Sequence, residues 1–348
     1  MSFNASVLAA LAAAMLFGAS TPLAKALLGA APPVLLAGLL YAGSGVGLAL
    51  ARLARDRGFN APQLTRGEWP WLLGATTVGG VLGPILLLYG LARTSAASTS
   101  LLLNLEAVLT ALLAWLVFHE NADRRIVLGM ALIVAGGVVL AWPMDGAGAT
   151  SLIGTLAVAG ACVCWAVDNN LTRKVSVGDS VFIAATKGLT AGVTNVALAL
   201  ALGARLPTPG VTAAAMGVGF LGYGVSLVLF VLALRGLGAA RTGAYFSVAP
   251  FFGAALAIVA FGEPHSWPCA LAAALMALGV WLHLTEVHEH EHVHEALTHT
   301  HAHRHDAHHQ HGHNFDWDGR EPHTHEHSHE PLVHRHPHYP DVHHRHEH

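Results

Sequence analysis

Charge is what this sequence has least of. Only 11% of its 348 residues are Asp, Glu, Lys or Arg, where soluble domains carry about 25%. That shortage argues against an ordinary water-soluble globule. Cysteine is scarce as well. Cys162, Cys164 and Cys269 are the only three, too few for a disulfide framework. All three fall inside apolar stretches, where a thiol behaves as a small hydrophobe. Cys162 and Cys164 sit two positions apart, which on a helix separates side chains by about 200°, so packing fits them better than a shared metal ion. A nucleophile elbow, a His-Glu-x-x-His helix and a phosphate-binding loop are also missing. An enzyme is therefore not expected, and no cofactor is required.

Apolar residues make up 53% of the chain and are gathered into ten runs: 5–27, 33–51, 69–90, 95–118, 125–142, 151–171, 180–203, 212–234, 239–261 and 267–284. A helix needs roughly 20 residues to cross the hydrocarbon core, and shorter runs are accommodated by interfacial adjustment. Lipid offers backbone groups no partner, so spanning runs are helical. The first run lacks a basic leader and is too long for a signal peptide, which makes it the first transmembrane helix. Trp69, Trp71, Trp142 and Trp267 stand at run ends and read as interfacial anchors.

The net charge of −3 hides a division. Residues 285–348 hold 12 acidic and 4 basic residues, while the rest of the chain holds 9 and 14. With the N-terminus inside, the inner loops carry ten of the basic residues (Arg52, Arg55, Arg57, Arg66, Arg124, Arg125, Arg173, Lys174, Arg235 and Arg241). The outer side has Lys25, Arg93 and Arg205. Basic residues favour the cytoplasmic side, so both termini are expected there, in a multi-pass protein of the cell membrane.

The chain repeats itself. Residues 91–138 recur at 234–281 with a shift of 143. Ala96-Ala97, Thr99, Ala111, Leu113-Ala114, Phe118, Glu120 and Gly136 return as Ala239-Ala240, Thr242, Ala254, Leu256-Ala257, Phe261, Glu263 and Gly279. The opening spans align with a shift of 148, Phe17–Lys25 against Trp165–Arg173. Each repeat then holds five helices, and an odd number inverts the second copy, as in secondary transporters with a midplane site between halves.

On these residues (Phe17-Gly18 and Lys25, Ala96-Ala97 and Ala239-Ala240, Glu120 and Glu263, and Pro250) the chain resembles the EamA group of the ten-helix drug/metabolite transporter superfamily. The resemblance covers about residues 5–284. It implies an all-α integral membrane protein with ten transmembrane helices in two inverted five-helix repeats, 1–142 and 151–284. It also implies a small organic metabolite as cargo. The fourth span departs from the family pattern, because the region matching that around Pro250 reads Asn104-Leu105-Glu106-Ala107, with no Pro and a carboxylate instead.

An ionisable residue inside a span marks a functional position by default. Glu106 is a candidate cavity carboxylate for a cation or a proton, and a packing role is the alternative. Asn104, Asn169, Tyr245 and Pro250 complete the candidate cavity. Asp168 and Lys187, near the inner ends of the sixth and seventh spans, form a gating ion pair or else reach the interface separately. Lys25 is expected to snorkel outward. Glycines of the third span (Gly74, Gly79, Gly80, Gly83) and the eighth (Gly217, Gly219, Gly222, Gly224) permit close packing or sliding.

From His288 to His348, 23 of 61 residues are histidine. Many alternate, as in His288-x-His290-x-His292-x-His294, His299-x-His301-x-His303-x-His305 and His323-x-His325-x-His327-x-His329. Imidazole is a favoured ligand for transition metals, and alternate residues of an extended chain point the same way. The tail, 285–348, is expected to bind Ni, Co or Zn and, with little apolar content, to lack regular structure. The readings are thus a secondary transporter, expected to export a metabolite or a divalent metal, or a membrane-anchored metal sensor or buffer without transport. Ten spans in a repeat argue against the second. Lipid and a small-molecule or metal-ion substrate are the implied partners, with homodimerisation compatible and nucleic acid excluded.

Overall fold

The computed structural model describes residues 3–56, 64–118, 124–142, 151–173, 175, 179–264 and 266–284, and the tail segments 289–294, 297–303, 323–329 and 332–337. Helix α1 is Phe3–Leu27 and α2 is Pro33–Asp56. Helix α3 runs through Trp69–Ala75, Thr76–Leu82 and Gly83–Leu91, with a π-helical middle. Helix α4 has two pieces, Ala96–Leu102 and Leu105–Phe118. Helices α5 (Arg124–Ala141), α6 (Leu152–Arg173) and α7 (Ser180–Ala201) follow. Helix α8 comprises Pro209–Gly219, a π-helical Phe220–Val225 and Ser226–Phe246. Ala249–Val259 is α9 and Trp267–Leu284 is α10.

Seven of these helical stretches are long and apolar enough to cross a membrane, and three more, Val127–Ala141, Ala249–Val259 and Trp267–Leu282, are apolar but shorter. The described part of the chain up to residue 284 is a helical, multi-pass membrane protein. The eighth and ninth predicted spans share one helical assignment through Phe246, yet they are not one rod. Sixteen residues of straight helix would part Phe230 and Phe246 by about 24 Å, while their rings lie 4.9 Å apart. The chain doubles back between them.

Packing follows the repeat. α2 lies on α7, α5 on α10 and the first piece of α4 on α9, each pairing equivalent helices of the two halves. α1 lies on α8, and α3 on α6, which exchange under the same relation. Helices in lipid associate through close van der Waals contact, and small residues permit it. At the α2–α7 crossing a side chain on Gly188 would stand 2.7 Å from the Cα of Gly45. Alanine at either position would force the helices apart. The buried core of Leu35, Leu36, Leu88, Leu101, Leu102, Ile133 and Met276 joins both halves.

Two ends of the bundle differ. At one, Arg52 of α2 donates to Asp179 at 3.1 Å and Arg55 donates at 2.9 Å. Asp179 also caps α7, accepting from the backbone of Val181 at 3.0 Å. At the other end, Lys25 of α1 is not a snorkelling residue. It donates to the carbonyls of Leu91 and Thr94 in the α3–α4 connection. Buried carbonyls there lack helical partners, and the ammonium satisfies them.

The tail corrects one expectation. It was expected to be without regular structure, but Glu289–His294 (β1), Leu297–His303 (β2), His323–His329 (β3) and Leu332–Pro337 (β4) are strands. β1 pairs antiparallel with β4, and β2 with β3. The physical reason is the strict period of two, with Thr and Val between the histidines, which suits a strand.

Candidate transport site

Helix α4 breaks at Leu103-Asn104, and the break sets the next helical piece in place. Asn104 is buried, and its amide donates to the Leu101 carbonyl at 2.8 Å. Its own role is to satisfy that interruption beside Met276 of α10. Two residues on, Glu106 opens the second piece of α4 and projects toward α6. Asn169 donates to Glu106 at 2.9 Å and approaches the Thr110 hydroxyl at 3.4 Å. Glu106 is half-buried and Asn169 is exposed, so this pair is reachable from outside the core.

At the residue next to Asn169, α6 and α7 hold an ion pair. Lys187 donates to both carboxylate oxygens of Asp168, at 2.6 and 2.8 Å, and to Thr172 at 3.2 Å. Thr172 adds a 2.9 Å bond to Asp168. Asp168 is 10% and Lys187 18% exposed at the side chain. Of the two readings the sequence left open, the structure therefore pairs them.

The ion pair rests on the π-helical turn of α3. A π turn shifts backbone hydrogen bonds from i−4 to i−5 and leaves carbonyls seeking partners. Trp165 of α6 donates to Gly79 O at 2.9 Å, Tyr41 of α2 at 3.2 Å, and Asn195 of α7 donates to Gly80 O at 3.1 Å. Three helices thus converge on one turn. A side chain on Gly79 would overlap the Asp168 carboxylate, so glycine is required for this approach. Sequence reasoning saw these glycines but neither the π turn nor Tyr41 and Trp165. The only signal available was the matching glycine cluster in each half.

Aromatic rings continue the site. Tyr41 and Tyr223 stand 5.6 Å apart, Phe17 is 6.1 Å from Tyr223, and Phe17 is 5.5 Å from Phe246. Tyr41 lies within electrostatic reach of both Asp168 and Glu106. The residues named from the sequence therefore divide. Glu106, Asn169, Asp168 and Lys187 gather on α4, α6 and α7. Tyr245 packs instead with Ala9, Ala10, Ala233 and Leu237, and Pro250 starts α9. Cys162 is buried with its thiol toward the Leu102 carbonyl at 3.7 Å, as packing requires. His119 and Glu120 lie outside the described residues. Among residues 3–284 whose side chains are described, no group of three or more His, Cys, Asp or Glu side chains is placed to hold a metal ion.

The second half has its own anchor. Glu263 accepts from the backbone N–H of Ala96 at 2.8 Å and of Ala97 at 2.9 Å. These are unsatisfied donors at the start of α4, where a carboxylate also opposes the helix dipole. The Phe-x-Glu signature of one repeat thus caps the Ala-Ala start of the other.

A helical bundle built from two related halves, with ionisable groups held between them, defines a membrane transporter fold. The EamA-like transporter family matches residues 4–142 and 152–285, and the chain belongs to it. An uncharacterized transporter of Methanothermobacter thermautotrophicus is 29% identical over 285 residues, covering 78% of this chain and 83% of that protein. The uncharacterized transporter YvbV of Bacillus subtilis is 30% identical over 179 residues, 51% of this chain and 57% of YvbV. A probable 4-amino-4-deoxy-L-arabinose-phosphoundecaprenol flippase subunit, ArnE of Pseudomonas aeruginosa, is 43% identical over 75 residues, 22% of this chain and 63% of ArnE. One solved crystal structure aligns with a TM-score of 0.60 at 23% identity, covering 80% of this chain and 95% of its own. That likeness concerns the fold.

Proposed function

We propose that the chain is a ten-crossing secondary transporter of the cell membrane, with both termini cytoplasmic, that exports a small organic solute by alternating access. One observation carries the substrate reading. Asp168 is matched by Lys187, whereas Glu106 has, among the described residues, only the neutral amide of Asn169 as hydrogen-bond partner. The described site therefore carries one carboxylate more than it has ammonium groups. A carboxylate in mid-span is costly unless a cation or proton joins it. The rings of Tyr41, Tyr223 and Phe17 nearby favour an organic ammonium group, which aromatic faces attract, over a hydrated metal ion.

Glu106 is then the exchange point at which proton and cationic solute compete. The Lys25 end is latched by Lys25 and Glu263. The tail, by composition, binds Ni, Co or Zn and serves as sensor or buffer.

The test compares matched cells expressing the full chain, the 1–284 core, or Glu106→Gln. Retention of a panel of organic amines is followed together with cellular Ni, Co and Zn by elemental mass spectrometry. Loss of amine retention with the full chain and with the core, but not with Glu106→Gln, is expected. A metal content that changes with the full chain and not with Glu106→Gln would instead make metal the cargo. Unimpaired transport by Glu106→Gln would make the carboxylate structural.

A further inference from the structure

The strand register of the tail puts histidine opposite histidine on successive rungs. In the β2–β3 ladder His299 stands opposite His327, His301 opposite His325, and His303 opposite His323. The β1–β4 ladder repeats the arrangement with His290 opposite His336 and His292 opposite His334. Alternate residues of a strand share one face, so each ladder collects its paired histidine positions on a single face. Thr298, Thr300 and Ala302 fall on the other face of β2. A random His-rich coil would not produce such order; a pairing slipped by one residue would place every histidine of β2 opposite Thr, Ser or Glu.

Directly opposed Cβ atoms lie about 4.5–5.5 Å apart, and two residues along a strand advance about 6.5–7 Å. Two adjacent rungs therefore put four histidine positions at the corners of a small rectangle on one face. Four positions at the corners of such a rectangle match the arrangement of a tetragonal ligand set. That geometry suits Ni(II) or Cu(II) better than Zn(II), which is tetrahedral in protein sites. The same face explains why the strands need a ligand. An isolated two-stranded sheet is marginal in water, and a row of imidazoles offers little apolar area to bury. Ligand binding would supply the missing free energy, as metal binding does in small domains folded by their ion.

We propose that paired strands of the tail form tetra-imidazole metal sites, the first built on β2 and β3 from His299, His301, His325 and His327, taking a divalent ion of tetragonal preference such as Ni(II). This rests on the metal-binding reading of the tail and adds that register, not histidine content, defines the site.

The experiment uses the full-length protein in detergent, with Ni(II) binding followed by equilibrium dialysis. His299, His301, His325 and His327 are replaced together by Asn in one variant. A second loses the same number of histidines, His308, His309, His311 and His313, outside the strands. A third inserts one Ala between Thr300 and His301, which keeps every histidine but moves His301 and His303 to the opposite face from His299. The first variant is expected to lose one tightly bound ion per chain while the second keeps it. The third is expected to weaken that ion at least tenfold. Equal losses in the first two variants, or undiminished affinity after the insertion, would overturn the paired-strand site while leaving a metal-binding tail. No tight Ni(II) in the unaltered chain would overturn both. None of these readouts depends on transport, so they stand apart from the test of Glu106.

Discussion

Removing either partner of the Asp168–Lys187 pair should cost more than any other single change in the site. The Lys187 ammonium is the cationic partner of Asp168, with bonds of 2.6 and 2.8 Å, and both side chains are largely buried. In Lys187→Met the Asp168 carboxylate keeps, among the described residues, only the Thr172 hydroxyl at 2.9 Å. Breaking a buried pair by deleting one partner costs about 3–5 kcal/mol, because the surviving charge is stranded. Replacing both partners is far milder, since no charge is left to desolvate. Lys187→Met and Asp168→Asn should therefore each lower the melting temperature of the detergent-solubilised protein by on the order of 10 °C. The Asp168→Asn/Lys187→Met double variant should recover at least half of the loss. A double-variant cycle on melting midpoints measures this directly. Additive losses in the double variant, or single losses below about 1 kcal/mol, would refute a desolvated pair and return both residues to the solvent-screened regime.

Three further outcomes follow from the same geometry. Gly79→Ala should destabilise by about 1–3 kcal/mol through overpacking, since the added carbon meets the Asp168 carboxylate; an unchanged melting curve would mean that the π turn can shift. Glu263→Gln should cost about 1 kcal/mol by weakening the cap on Ala96 and Ala97, and the repeat leads us to expect a similar loss for Glu120→Gln, both read from thermal melts. Burial alone would raise the Asp179 carboxyl, yet hydrogen bonds from Arg55, Arg52 and the Phe182 backbone hold it below the usual carboxylate value. A depressed folded value means that its contribution is present above the unfolded pKa of about 4 and is lost as pH falls through the folded one. The wild-type melting midpoint should therefore drop more steeply below about pH 4 than that of Asp179→Asn, and parallel acid limbs would show the opposite.

How much of this was written in the sequence depends on the range of each interaction. Spans were legible because lipid imposes a length and an apolar composition on every helix. Glu106 was legible because a lone acid in such a run stands out. The pairing of Asp168 with Lys187 was one of two open readings, since it needs α6 and α7 to present one face to each other. The π turns at Thr76–Leu82 and Phe220–Val225 were not legible. Their hydrogen-bond shift leaves no periodic mark, and the partners of the first, Tyr41, Trp165 and Asn195, lie on other helices. The interruption at Leu103-Asn104 also hid inside an apolar run without Gly or Pro. The strands of the tail were half legible: the alternation that suggested chelation is the alternation of a strand, but the partner of each strand lies far along the chain.

The repeat explains why the site is where it is. Under the shifts of 143 and 148, Glu106 corresponds to Ala249, Thr110 to Gly253, and Ala166 to Gly18. Gly18 of α1 in the first half and Ala249 and Gly253 of α9 in the second make a bare crossing. A side chain on Gly18 would run into the Ala249 carbonyl, and one on Gly253 would lie 2.6 Å from the Gly18 carbonyl. The equivalent crossing of α4 in the first half with α6 in the second carries Asn169 hydrogen-bonded to Glu106 and directed at Thr110. One backbone geometry is thus closed by small residues in one copy and furnished with a carboxylate and an amide in the other. Inverted repeats place these two crossings toward opposite ends of the bundle. The α1–α9 crossing can seal by backbone contact alone and needs no ligand. The α4–α6 crossing holds a charge that favours closure only when that charge is met. On the transport reading proposed above, a small residue in place of Glu106 should therefore let the α4–α6 crossing close like its α1–α9 counterpart, without regard to a bound cation or proton.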